Sequence, residues 1–112
     1  MFSGINIGKY SSIILDSFDY PHISYYNESG GDLKYANSDG IFWTIQTIDD
    51  GTTSYDVGQY TSIALDTLEF PHISYYNNTG GNLKYTFWTG ASWSIQTIDD
   101  GNGTYDVGKY TS

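Results

Sequence analysis

The heptapeptide PHISYYN stands at residues 21 to 27 and again, unchanged, at 71 to 77, so the fold must repeat with a period of fifty residues. Sliding residues 11 to 60 over 61 to 110 gives an ungapped match at thirty of fifty positions, which is an internal duplication. A unit of this size is a supersecondary element that cannot bury its apolar surface alone and must stack on a neighbour. The shared positions include Ser12/Ser62, Leu15/Leu65, Asp16/Asp66, Leu33/Leu83 to Tyr35/Tyr85, Trp43/Trp93, and the tracts IQTIDDG and YDVG. The ends keep the same phase, with NIGKYSS at 6 to 12, DVGQYTS at 56 to 62 and DVGKYTS at 106 to 112. Two periods and a short overhang therefore read as a segment of a longer cyclic array.

Each period reads as four short strands. In the second copy they are YTSIALD (60 to 66), PHISYYN (71 to 77), NLKYTFW (82 to 88) and WSIQTID (93 to 99). TLEF before Pro71, NTGG at 78 to 81, TGAS at 89 to 92 and the longer DGNGTYDVG supply the turns between them. No segment sustains the 3.6-residue apolar period of a helix. Successive strand residues point to opposite faces, so adjacent Tyr75 and Tyr76 give both faces of their sheet apolar bulk. A sheet with one wet face would alternate apolar with polar. Two apolar faces belong to a blade stacked between neighbours in a ring.

The expected fold is all-β, a β-propeller of two four-stranded antiparallel blades per chain, with blade 1 at about 10–59, blade 2 at about 60–109, and residues 110–112 repeating the phase of 10–12. Propellers close with about four to eight blades, and two cannot close alone. An open pair leaves two apolar flanks of the kind that mark interaction surfaces. Closure by homo-oligomerisation is the expectation, with an even blade number: four, six or eight from a dimer, trimer or tetramer.

Thirteen acidic residues against four basic ones give a net charge of −9, which repels phosphate backbones and anionic lipid alike and argues against nucleic-acid and membrane partners. The absence of cysteine removes disulfides and thiolate metal sites and leaves the redox compartment open. Residues 1 to 12 lack the basic flank and continuous apolar run of a signal peptide.

The pattern SIALD, PHISYYN, LKY, IQTIDDG and DVGKYTS resembles the repeats of surface-associated β-propellers of bacteria and archaea, across essentially the whole chain. That resemblance implies an extracellular or cell-surface setting. The layout is also similar to small bacterial fucose-binding lectins, whose two-bladed chains trimerise into six blades; Trp88, Gly90 and Trp93 match their Trp-x-Gly-x-x-Trp segment. Departures from that pattern are Ser74 in place of an arginine, Tyr85 in place of a glutamate, and, in the first copy, Ser38 in place of the first tryptophan. What the resemblance implies is a trimer of six blades.

Aromatic residues supply the leading candidate site. Trp88, Trp93, Phe87, Trp43, Phe42 and Tyr85 lie on or beside the third-to-fourth strand turns, where rings could stack on the apolar face of a sugar; blade packing is the competing reading. The expectation is a non-enzymatic, self-assembling recognition module with glycans as ligands and no cofactor; the alternative is a purely architectural fragment, natural or engineered, whose only activity is assembly. Four further groupings have simpler structural readings. His22 and His72 could bind a metal near Asp16 and Asp66, but fit better as histidines hydrogen-bonded inside each blade. Asp66, His72 and Ser74 form a triad-like set without a nucleophile elbow. Asp49, Asp50, Asp56, Asp99, Asp100 and Asp106 offer oxygen ligands for calcium, but their spacing is that of solvated Asx turns and not of a calcium loop. Asn27, Asn77 and Asn102 begin Asn-x-Ser/Thr motifs and read as turn residues.

Overall fold

The computed structural model describes residues 7–28, 30–50, 57–78 and 81–99. They form eight strands: β1 (Ile7–Leu15), β2 (Pro21–Asn27), β3 (Asp32–Ser38), β4 (Trp43–Asp49), β5 (Val57–Leu65), β6 (Pro71–Asn77), β7 (Asn82–Trp88) and β8 (Trp93–Asp99). The order β1-β2-β3-β4 makes one antiparallel meander and β5-β6-β7-β8 a second with the same register. Here they are called blade 1 and blade 2. The last three strands of each repeat fall where the alternation and turn signals place them; the overhang at 110–112 lies outside the described residues.

The first strand of each blade is the exception. β5 begins at Val57, three residues before the segment expected at 60, and its pairing with β6 shifts register between Val57 and Gln59 and again between Gln59 and Ser62. Tyr60 occupies the left-handed region there (φ 54°), as Tyr10 does in β1 (φ 53°). Such bulges insert unpaired residues and break the two-residue alternation on which a sequence reading of strands depends. They bring the Tyr10 and Tyr60 rings together across the blades, with centroids 4.5 Å apart.

The core lies between the sheets. Leu33 and Tyr35 of blade 1 pack with Val57, Ile63, Ile73 and Tyr75 of blade 2, and Ile14, Ile48 and Trp93 close its edges. Tyr75 and Tyr76 are both fully buried, one on each face of β6, as two apolar faces require. β5 lies over β1, β2 and β3, so the blades meet most closely at its inner end. There the Val57 amide donates to the Gly31 carbonyl (3.0 Å), and Gly58 (φ 107°) sits so near β3 that a Cβ would come 2.7 Å from Leu33 Cα. This close approach is the physical reason for glycine at position 58.

Polar contacts complete the joint. Ser24 Oγ bonds Thr61 Oγ1, and Ser12 Oγ accepts from the Ile63 amide. The Tyr75 hydroxyl donates to Asp49 Oδ2 (2.7 Å), which also pairs with Lys84 Nζ (3.1 Å). Burial, followed by the Asp49 charge and hydrogen bond, pushes the Tyr75 phenol far above its ordinary range, so it stays a neutral donor.

Candidate functional site

Toward the outer strands the blades part, leaving a groove of about 280 Å³ lined by Tyr35, Asn37, Thr44 and Gln46 from blade 1 and Pro71, Trp88 and Trp93 from blade 2. Trp88 and Trp93 face each other across the β7–β8 pairing, their rings nearly perpendicular at 62° with centroids 5.6 Å apart. Trp93 is held from two sides: its Nε1 donates to Gln46 Oε1 (2.8 Å) and its ring meets Tyr35 edge-on at 5.3 Å. The Gln46 side-chain oxygen is thus committed to the indole, while its amide hydrogens are donors for a ligand.

Tyr35 is itself fixed from behind. His22 bonds the Tyr35 hydroxyl through Nδ1 (2.5 Å) and Asp16 Oδ2 through Nε2 (3.0 Å). An ionised carboxylate only accepts, so in the neutral ring Nε2 carries the proton and Nδ1 accepts from the tyrosine. The other Asp16 oxygen accepts from the Phe18 and Tyr20 amides, which shapes a tight β1–β2 turn with Asp19 in the left-handed region (φ 66°). The repeated D-x-x-[D/E]-[Y/F]-P-H therefore encodes a turn and a hydrogen-bond chain at once. The His22 bond, ahead of the Tyr20 and Phe18 amides, holds the Asp16 carboxyl below its ordinary value, and His72 does the same for Asp66. Burial, with the Asp16 charge second, raises the Tyr35 phenol to about 12.

These shifts predict the pH profile of stability. The depressed carboxyls stabilise the fold above their ordinary value of 3.8 and lose that contribution as pH falls through their folded values. The raised phenol acts oppositely: between pH 10 and about 12 the unfolded chain sheds the Tyr35 proton while the folded chain keeps it, so stability falls as pH rises. Urea midpoints should be flat near neutrality and drop below about pH 4 and above about pH 10. Tyr35→Phe should shallow the alkaline limb.

Of the six aromatic candidates, the structure brings Trp88 and Trp93 into the groove. Phe87 points to the opposite face of β7, stacked on His72 at 5.5 Å and on Tyr85 at 5.4 Å. Tyr85 accompanies His72 in a shallower concavity on the outer face of blade 2. Trp43 is 54% exposed on the outer face of blade 1, and Phe42 lies at the exposed tip of the β3–β4 turn. Asn37, Thr44 and Gln46 were not singled out in the sequence; the one mark they carry is that Gln46 and Trp93 belong to the duplicated W-x-I-Q.

The triad-like set resolves into the same hydrogen-bond chain: His72 Nε2 bonds Asp66 and Nδ1 bonds the Tyr85 hydroxyl, so Ser74 is not part of the relay. Among the described residues no three His, Cys, Asp or Glu side chains converge on a point that could hold a metal ion. Asp49 is engaged by Tyr75 and Lys84, while Asp56, Asp100 and Asp106 lie outside the described residues, as does Asn102. Asn77 is buried at the end of β6.

No protein-family model matches the chain, and no curated protein matches it by sequence. Among solved structures, a fucose lectin from Kordia zhangzhouensis in complex with methyl-fucoside superposes with a TM-score of 0.51 at 21% identity. The two share a fold. The match covers 80% of this chain and 63% of the lectin, so the chain spans less than two thirds of that protein's length.

Proposed function

We propose that the chain is a non-enzymatic recognition module that binds a neutral sugar in the groove between its blades. The observation that carries this reading is the pairing of two tryptophan rings, one immobilised by Gln46 and Tyr35, with the polar side chains of Asn37, Thr44 and Gln46 on the facing wall. A sugar ring presents just such a pair of surfaces, C–H on one side and hydroxyls at its edge. Among the described residues no charged side chain lines the groove, and the chain carries a net charge of −9, which selects against acidic sugars. The fold shared with a fucose lectin in complex with methyl-fucoside supports the ligand class. In this reading the module is a segment of a closed propeller completed by further copies, three for six blades. The architectural alternative has the same fold and no ligand.

The test is a glycan array followed by titration calorimetry. A neutral glycan should bind, and Trp93→Ala, which removes the central ring, should weaken binding about thirtyfold or more, the scale of a buried aromatic anchor. Trp88→Ala should weaken it less, because among the described residues its ring makes an edge contact with Trp93 and no side-chain hydrogen bond. Silence across the array from a folded protein would leave the architectural reading.

A further inference from the structure

Three turns at one end of the module carry its most exposed apolar side chains. The turns at 16–20, 39–42 and 66–70 lie at the end where β1, β3 and β5 finish, and they present Phe18, Ile41, Phe42 and Leu68 at 71 to 80% exposure. Among the described residues no other large apolar side chain is as exposed. The turns touch one another: the Tyr20 ring stacks on Phe18 and lies beside Gly40, and Glu69 accepts from the Ser17 amide and hydroxyl. The patch therefore runs across both blades. At the opposite end the turns at 28–31 and 78–81 read ESGG and NTGG, without one large apolar residue. Stacking of blades covers sheet faces and not strand ends, so the apolar end stays open however many blades complete the ring.

Two features of the turns point to what covers the patch. Each of the four apolar residues has its amide bonded to an aspartate: Phe18 to Asp16 (3.0 Å), Leu68 to Asp66 (2.9 Å), Ile41 and Phe42 to Asp39 (2.9 and 2.8 Å). The tips therefore enter an apolar phase without an unpaired amide of their own, a requirement that lipid imposes and that a protein surface, with acceptors to offer, does not. The same turns hold five carboxylates, Asp16, Asp19, Asp39, Asp66 and Glu69, and no Lys or Arg. The Phe42 and Ile41 amides hold the Asp39 carboxyl below its ordinary value, so the charge stays beside the tips. An anionic collar behind apolar tips is repelled by acidic lipid and matched by the quaternary ammonium at the outer edge of a choline head group.

We infer that this end of the module docks on a bilayer of choline phospholipid, the four tips entering the interface while the carboxylates meet the head-group ammonium. The groove opens at the same end: Asn37 and Thr44 each stand two residues from the 39–42 turn, Pro71 follows the 66–70 turn, and Trp88 and Trp93 flank the 89–92 turn. Docking thus brings the groove to sugars carried on that membrane, a consequence that rests on the recognition reading; the docking itself does not.

Vesicle flotation tests the docking. The chain should float with phosphatidylcholine vesicles in low-salt buffer, and phosphatidylglycerol vesicles of the same acyl chains should retain it at least about tenfold less. Phe18→Ser/Leu68→Ser and Ile41→Ser/Phe42→Ser, two pairs on different turns, should each lower partitioning into phosphatidylcholine at least about thirtyfold, because partitioning scales with the apolar area buried. All four side chains are exposed, so both pairs should keep the wild-type circular dichroism and urea midpoint. Absence of wild-type flotation, undiminished flotation of either folded pair, or equal binding to the two lipids overturns the inference. So does a wild-type chain that stays off vesicles while the pairs lower its mass by light scattering, which would assign the tips to contacts between copies. None of the four side chains lines the groove, so calorimetry of the variants with a soluble neutral glycan reads the recognition proposal separately.

Discussion

Replacing Gly58 with alanine is expected to destabilise the chain by about 3–5 kcal/mol and in the limit to abolish its cooperative urea transition. Two costs combine at this position. A φ of 107° is one that L residues rarely adopt. The added methyl would also lie 2.7 Å from Leu33 Cα and 2.9 Å from both the Asp32 carbonyl oxygen and the Leu33 amide nitrogen, all backbone atoms with no rotamer to yield. Relief requires moving the start of β5 away from β3, which breaks the Val57–Gly31 bond and opens the core over Leu33. Gly90→Ala separates the two costs. Gly90 has nearly the same φ, 102°, but its Cβ would meet the Phe70 ring at an ordinary 3.5 Å, so the backbone penalty alone applies there. The urea midpoint of Gly90→Ala should fall by well under half as much. Equal falls would place the whole effect in the backbone conformation and none in the blade contact.

The second large effect is expected at Tyr75. Truncation to alanine removes a fully buried ring from the joint between the blades and should cost about 3–5 kcal/mol. Part of that belongs to the hydroxyl, because Asp49 would be left with one fewer donor at the same buried place. Tyr75→Phe keeps the ring and isolates this share at about 1.5–3 kcal/mol, the range for a hydrogen bond to a charged group. Urea denaturation of both variants reads the difference directly. A phenylalanine variant as stable as wild type would mean that the Asp49–Lys84 pair is self-sufficient.

Most of the architecture was legible because β6, β7 and β8 obey simple signals: β-branched and aromatic residues in alternation, bounded by Pro71, Gly-rich turns and acidic ends. PHISYYN was informative for the same reason. Its adjacent tyrosines bury on opposite faces, and only a sheet covered on both sides can satisfy that. The innermost strands were less legible because the bulges at Tyr10 and Tyr60 are backbone conformations that no composition rule assigns to tyrosine. The groove was half legible. Trp88 and Trp93 stood out as aromatics near one turn, but grouping Phe87 with them ignored strand parity, which sends neighbours on β7 to different faces. The facing wall was silent for another reason: Asn37, Thr44 and Gln46 gain their meaning from a blade fifty residues away, and nothing in their own strands marks them. The histidines were foreseen as bonded inside each blade; the partner of His22, Tyr35, which ties that bond to the groove, became visible only in three dimensions.

The account turns on whether the outer faces of blades 1 and 2 are two halves of one interface. Light scattering of the unmodified chain, measured over a dilution series, addresses that most directly. Closure into six blades predicts a species of three times the 12.5 kDa chain mass that holds its size on dilution to micromolar concentration. A compact, cooperatively unfolding species at the single-chain mass would contradict it.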